Sequence, residues 1–280
     1  MSLQNVIRKD LLDVRRANVV RGVGVVYLAF TMLFFYGVGS GTNTQVLSNQ
    51  LYGMAILGVL IIPLVALVAA YLSVAGERES GSLKFLLSYP NNRRDVVFGK
   101  FVARSAVVTA SIILAYVVGL AMALFYFDTV EMATYAGFVL LTILFALVYV
   151  SIAVGISAAT SSRSRAMGLA IGSWFILNVF WNFLPVNPAQ IVNFVTEKIG
   201  VELSDAVLQF ITSISPTAAY LITLDLVLEQ NPATGKGFEG MGGIPDVWYL
   251  TPEFMFVILA FWFVAPLLLG YWRFERADLG

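Results

Sequence analysis

The chain contains no histidine and no cysteine. Imidazole general bases, thiol nucleophiles and the usual zinc and copper ligands are therefore missing from its chemistry. Carboxylates, amines, hydroxyls and amides remain. Glu77 and Glu79 sit close in sequence. Their i, i+2 spacing turns them away from each other on a helix, which does not suit acid–base work by a carboxylate pair. A phosphate cradle needs G-x-x-x-x-G-K-[ST]. The near match is Gly235-Lys236, with Gln230 in place of the first glycine and Gly237 in place of the hydroxyl residue. The chain reads as unable to hydrolyse ATP and carries no site for a cofactor or a metal.

The densest chemistry lies in Gly76–Lys100, which holds Glu77, Arg78, Glu79, Lys84, Arg93, Arg94, Asp95 and Lys100 between two apolar segments. Within it, Leu83, Leu86 and Leu87 fall at i, i+3 and i+4, on one helical face. Pro90 stops that short helix by excluding the helical region for the residue before it. Asn92 with Asp95 three residues on then offers a capping-box start to a basic helix. A passive tether needs none of these features; a docking element for a cytosolic partner does. The bland alternative is a cytoplasmic loop held down by positive charge.

The rest of the chain must place this run at a membrane boundary. Apolar residues make up 59% of it and charged residues 12%, and the mean hydropathy is +0.84, outside the range of a soluble globular domain. Ser2–Arg21 carries a stripe of Leu3, Val6, Ile7, Leu11 and Val14 with basic residues beside it, the pattern of a helix lying in the membrane interface against lipid. Six stretches read as spans: Val23–Val38, short but with apolar flanks, then Leu51–Ala75, Ala103–Phe127, Thr134–Ala158, Met167–Leu184 and Phe254–Trp272. The fold class expected is thus an all-α membrane protein forming one domain over residues 1–280. Pro185–Glu253 is the long connection, with amphipathic helices at Pro188–Gly200 and Leu203–Ser213, a break at Ser215-Pro216 and a Gly- and Pro-rich stretch at Asn231–Pro245.

The spans carry essentially no Asp, Glu or Lys, which a secondary transporter would use as an ion site. Thr109, Ser111, Tyr116, Tyr149, Ser151, Ser157, Asn178 and Asn182 are their polar groups, suited to hydrogen bonds between helices. An intramembrane protease site is excluded by the missing histidine and by the absence of paired aspartates in any span. With neither a nucleotide site nor a charged coupling site, energy is expected from a partner.

Charge orients the bundle. Of 17 Lys and Arg, 15 fall in 1–21, 76–104, 160–165 and 273–280, while Lys198 and Lys236 lie in the long connection. Net charge is about +8 on the first side and −8 on the other. The positive-inside rule places both termini, Gly76–Arg104 and the TSSRSR loop in the cytoplasm of a multi-pass cell-membrane protein. A net charge of zero gives no ground for a nucleic-acid partner.

The run E-R-E-S-G-S-L-K-F-L-L-S-Y-P-N-N-R-R-D-V-V-F-G-K resembles the segment after the second span of ABC-2 type transporter permeases, most of all those of nitrous-oxide-reductase maturation and their archaeal relatives. Ser215-Pro216-Thr217-Ala218-Ala219-Tyr220 and the closing Tyr271–Asp278 also look like this family. The resemblance implies a permease subunit, an exporter, that works with a second permease copy and with cytosolic ATP-binding cassette subunits, which hold ATP and magnesium. It also implies that the short helix after the second span is a coupling helix. On that analogy Glu77, Arg78, Gly81, Leu83, Lys84, Leu86, Leu87, Pro90 and Arg93 carry the contact, the leucines as apolar anchor and Glu77, Arg78 and Arg93 by ion pairs. A non-transporting scaffold or sensor that docks a cytosolic partner is the competing function.

Overall fold

The computed structural model describes residues 3–16, 18–39, 47–83, 92–228 and 247–277. Among them every regular element is helical: α1 (Leu3–Arg16), α2 (Asn18–Gly39), α3 (Leu47–Ala70), α4 (Ala75–Glu79), α5 (Arg93–Tyr126), α6 (Met132–Ala159), α7 (Arg163–Trp174), α8 (Pro188–Lys198), α9 (Asp205–Ser213), α10 (Pro216–Thr223) and α11 (Pro252–Glu275), with short 3₁₀ turns at Leu224–Leu226 and Trp248–Leu250. Lipid cannot hydrogen-bond a bare backbone, so helices are the expected way for an open chain to cross it.

Among the described residues four stretches are long and apolar enough to cross a membrane: Leu47–Glu79, Arg93–Tyr126, Met132–Ala159 and Pro252–Glu275. Counting the bent pair α9–α10 as one span would make five by length and composition, and Arg21–Gly37 is a shorter apolar helix. The expected third span is the inner part of one continuous helix that starts at Arg93, where the Asn92 N–H donates to Asp95 Oδ2 at 3.4 Å. The segment expected as the fifth span starts as α7 and widens into a π-helical stretch at Phe175–Phe180.

Helices α11 and α3 pack on α6, and α1 and α2 on α5. The α6–α11 crossing is backbone against backbone. A Cβ at Gly155 would meet the Pro266 carbonyl, and one at Gly270 would meet the Gly155 backbone. Small residues at a crossing let helices approach where packing, not water exclusion, drives association. Pro63 breaks the ladder inside α3. Nearby carbonyls take donors from neighbours: Trp174 Nε1 donates to Leu60 O at 3.0 Å and the Tyr27 hydroxyl to Ile62 O at 3.2 Å.

The long connection is not confined to a surface. Helices α9 and α10 are bent by 101° at Ser213–Pro216. From that break α10 runs antiparallel to α6: Thr217 meets Tyr149, Tyr220 meets Thr142, and Val227 lies over Gly137. The break lies ~15 Å along α11 from its start, since the Trp262 indole donates to Ile214 O at 2.9 Å and a helix rises 1.5 Å per residue. Helix α7 begins at the end of the bundle where α11 finishes, and α11 begins at the other end. The segment between them therefore re-enters the bundle and leaves on the side it came from. Polar groups at the break are served locally: Trp181 Nε1 donates to Ile211 O at 3.0 Å, and Ser215 Oγ accepts from Ala218 N at 3.0 Å.

Candidate functional site, the charged end of the bundle

The segment after α3 is fastened before its charged residues begin. Ser157 of α6 accepts hydrogen bonds from Val74 N at 2.9 Å and Ala75 N at 3.0 Å. It thereby satisfies two of the free N–H groups at the start of α4. The sequence suggests only a hydrogen bond between spans for Ser157; the structure makes it the mount of the charged segment.

Glu77 on α4 pairs with Lys100 at 2.9 Å and with Lys9 at 3.6 Å. Lys100 also donates to Asp10 of α1 at 3.0 Å, and Arg104 Nε lies 3.2 Å from the other oxygen of Asp10. Lys100 is 2% exposed and Asp10 4%. Charges buried this deeply persist only when paired. One buried ammonium thus joins the interfacial helix α1 and the charged segment to α5.

The remaining candidates divide. Glu79 Oε2 accepts from Arg163 N at 2.6 Å at the start of α7, a helix end that favours an anion, and its other oxygen is 3.8 Å from Arg163 Nε. Arg78 is half-buried on α4. Gly81 has φ +75° in the turn after α4, a backbone region that favours glycine. Ser80 and Ser82 close that turn by donating to Glu77 O at 3.2 and 3.3 Å. Leu83 is 2% exposed and belongs to the chain's own core. Arg93 Nη1 donates at 2.8 Å to each of Phe274 O, Glu275 O and Ala277 O, with its guanidinium 5.7 Å from the Phe274 ring centroid. Lys84, Leu86, Leu87 and Pro90 lie outside the described residues.

The arrangement brings α1, the 75–83 segment, the 160–165 loop and the end of α11 to one end of the bundle, held by ion pairs and capped carbonyls. Among the described residues no group of three or more metal-ligating side chains comes together.

Sequence reasoning missed Asp10, although a signal existed: it falls on the apolar stripe of α1, between Ile7 and Val14, where an acid implies a buried partner. A second cluster lies inside the bundle. Asn178 donates to the Tyr149 hydroxyl at 3.0 Å and accepts from Thr217 at 2.5 Å, the Tyr149 and Thr217 hydroxyls are 3.2 Å apart, and Ser215 donates to Asn182 at 2.9 Å. Asn178, Asn182 and Tyr149 are expected from the sequence to bond between helices; their partners on α10 are not. Gly168 and Gly172 on α7 form a G-x-x-x-G pair, and among the described residues nothing lies within 4 Å of a Cβ added at either. That spacing is visible in the sequence.

The model of the ABC-2 family transporter proteins matches residues 4–279. The chain is 26% identical to the probable ABC transporter permease protein NosY of Stutzerimonas stutzeri, covering 97% of both chains. It is 24% identical to the protein of the same description from Pseudomonas aeruginosa, covering 98% of both. With a match that runs nearly end to end over a multi-pass helical bundle, the chain belongs to the ABC-2 transporter family.

Proposed function

We propose that the chain is the membrane-spanning permease subunit of an ABC exporter, driven by ATP hydrolysis on a separate cytosolic subunit that holds ATP and magnesium. The full-length family match carries this reading, and the relatives described as permeases support it. The charged end of the bundle supplies a physical route. Force applied to 76–91 reaches α6 through Ser157, α5 and α1 through Lys100, and α7 through Glu79.

In this reading six segments cross the membrane: α2, α3, α5, α6, α7 with its π-helical continuation, and α11. Both termini and Gly76–Lys100 are cytoplasmic by the distribution of Lys and Arg. Residues Lys84–Pro90 provide the apolar anchor of the coupling helix through Leu86 and Leu87. Because Leu83 is buried in the core, it fixes the base of that helix. A second copy of the chain packs on the face of α7 that carries Gly168 and Gly172, where Met167, Ile171 and Phe175 are exposed beside them. The test is recovery of an ATP-binding subunit with the chain from native membranes, lost when Leu86 and Leu87 are changed.

A further inference from the structure

Helix α8 is amphipathic with its polarity reversed relative to a helix packed on a protein in water. Asn187 Oδ1 caps its start by accepting from Gln190 N at 3.1 Å. Its end closes with Gly200 N donating to Glu197 O and Val201 N to Thr196 O, the paired bonds of a glycine-terminated helix, with Gly200 at φ +77°. At 100° per residue, Ala189, Gln190, Asn193, Thr196 and Glu197 share one face. That face turns toward α9. Gln190, Asn193 and Glu197 line a groove of about 370 Å³ with Asp205, Gln209 and Thr212 of the facing helix. Ile191, Val192, Val195 and Ile199 form the opposite arc and are 43%, 36%, 52% and 71% exposed, while Phe194, 62% exposed, stands at the boundary between this arc and the groove.

An arc of this kind facing water would leave a contiguous apolar patch uncovered. Two features say what covers it. First, it continues the exposed apolar surface at the end of the preceding segment, where Phe183, Leu184 and Val186 are 49%, 39% and 57% exposed. That surface belongs to a bundle already immersed in lipid. Second, Lys198 falls within the apolar arc, with its ammonium 5.4 Å from the Phe194 ring centroid. A protein partner would have to bury that charge; at a lipid boundary the aliphatic stem lies among acyl chains while the ammonium reaches headgroup phosphates.

We propose that α8 lies in the interface of the membrane leaflet opposite the charged end, with Ile191, Val192, Val195 and Ile199 among the acyl chains, Lys198 at the phosphates and its polar face lining the water-filled groove against α9. The helix then holds the re-entrant α9–α10 pair at a fixed height in the bilayer. This inference rests on immersion in lipid and is independent of the transport reading.

The absence of native cysteine makes the test clean. Ile191→Cys, Val195→Cys and Gln190→Cys are each spin-labelled in the full chain and reconstituted into phosphatidylcholine–phosphatidylglycerol vesicles. Collision rates with oxygen, which partitions into lipid, and with a water-soluble nickel chelate are then measured. The oxygen-to-nickel ratio is expected to be several-fold higher at 191 and 195 than at 190. Nickel access equal at all three sites overturns the proposal in favour of a water-exposed helix. Labels at 191 and 195 that are immobilised and shielded from both reagents overturn it in favour of a second copy or another protein. All three substitutions are at exposed positions, so folding is checked by an unchanged size-exclusion profile.

Discussion

Lys100 and Asp10 meet at 3.0 Å across ninety residues of sequence, both nearly sealed from solvent, with Glu77 on the other side of the same ammonium at 2.9 Å. Removing the cation leaves buried Asp10 with Arg104 alone and half-buried Glu77 with Lys9 alone. Lys100→Met is therefore expected to cost ~3–5 kcal/mol, read as a marked drop in the thermal unfolding midpoint in detergent. Adding Asp10→Asn and Glu77→Gln to Lys100→Met is expected to restore much of the loss, because the carboxylates then no longer need a counter-charge. A triple variant as unstable as Lys100→Met would show that packing of the lysine stem, not charge pairing, is what matters.

The α6–α11 crossing makes a second prediction. Gly155→Leu places a branched side chain where the Pro266 carbonyl stands. The backbones must separate, at a cost at or above the ~1–3 kcal/mol typical of overpacking. The expected result is loss of monodisperse protein. Gly22→Leu, with nothing within 4 Å of its Cβ, is expected to behave as wild type. Equal behaviour of the two variants would mean the crossing is loose.

The contrast between these sites shows what a single sequence holds. Apolar runs, the Asn92–Asp95 start of α5 and the Ser215-Pro216 break were legible because each is a local signal that backbone physics imposes. The re-entry of α10 was not. It depends on which side chains meet Tyr149 and Thr142, and no spacing along the chain encodes that. At the candidate site, the charge of Glu77 and Arg93 was legible but their direction was not. Both turn inward, to Lys100 and to the carbonyls at the end of α11.

Topology is tested at Ser82, an interior-side position in the proposed arrangement and the site of a hydroxyl that only closes a turn. A Ser82→Cys chain is expected to react with an impermeant maleimide in inverted vesicles and to be protected in intact cells. Labelling of intact cells would reverse the orientation.

The proposed contact between permease copies predicts that Gly168→Leu together with Gly172→Leu lowers the assembled mass in mild detergent by one permease subunit. Helix–helix approach at G-x-x-x-G depends on the missing side chains. Among the described residues nothing lies within 4 Å of a Cβ built at either glycine, so the monomer fold should persist. An unchanged mass would place the contact on another face.

The most direct measurement is a pull-down from native membranes, with the wild-type chain and the Leu86→Asp, Leu87→Asp double variant as baits and mass spectrometry of what is retained. Full burial of an aliphatic side chain is worth about 1.5–3 kcal/mol, so two anchors lost to carboxylates should abolish a small interface, while a Lys198→Ala chain should behave as wild type. The account predicts an ATP-binding subunit with wild type and Lys198→Ala and none with the double variant. An ATP-binding subunit recovered equally with all three baits would contradict docking through this helix, and its absence from every bait would contradict the transporter reading itself.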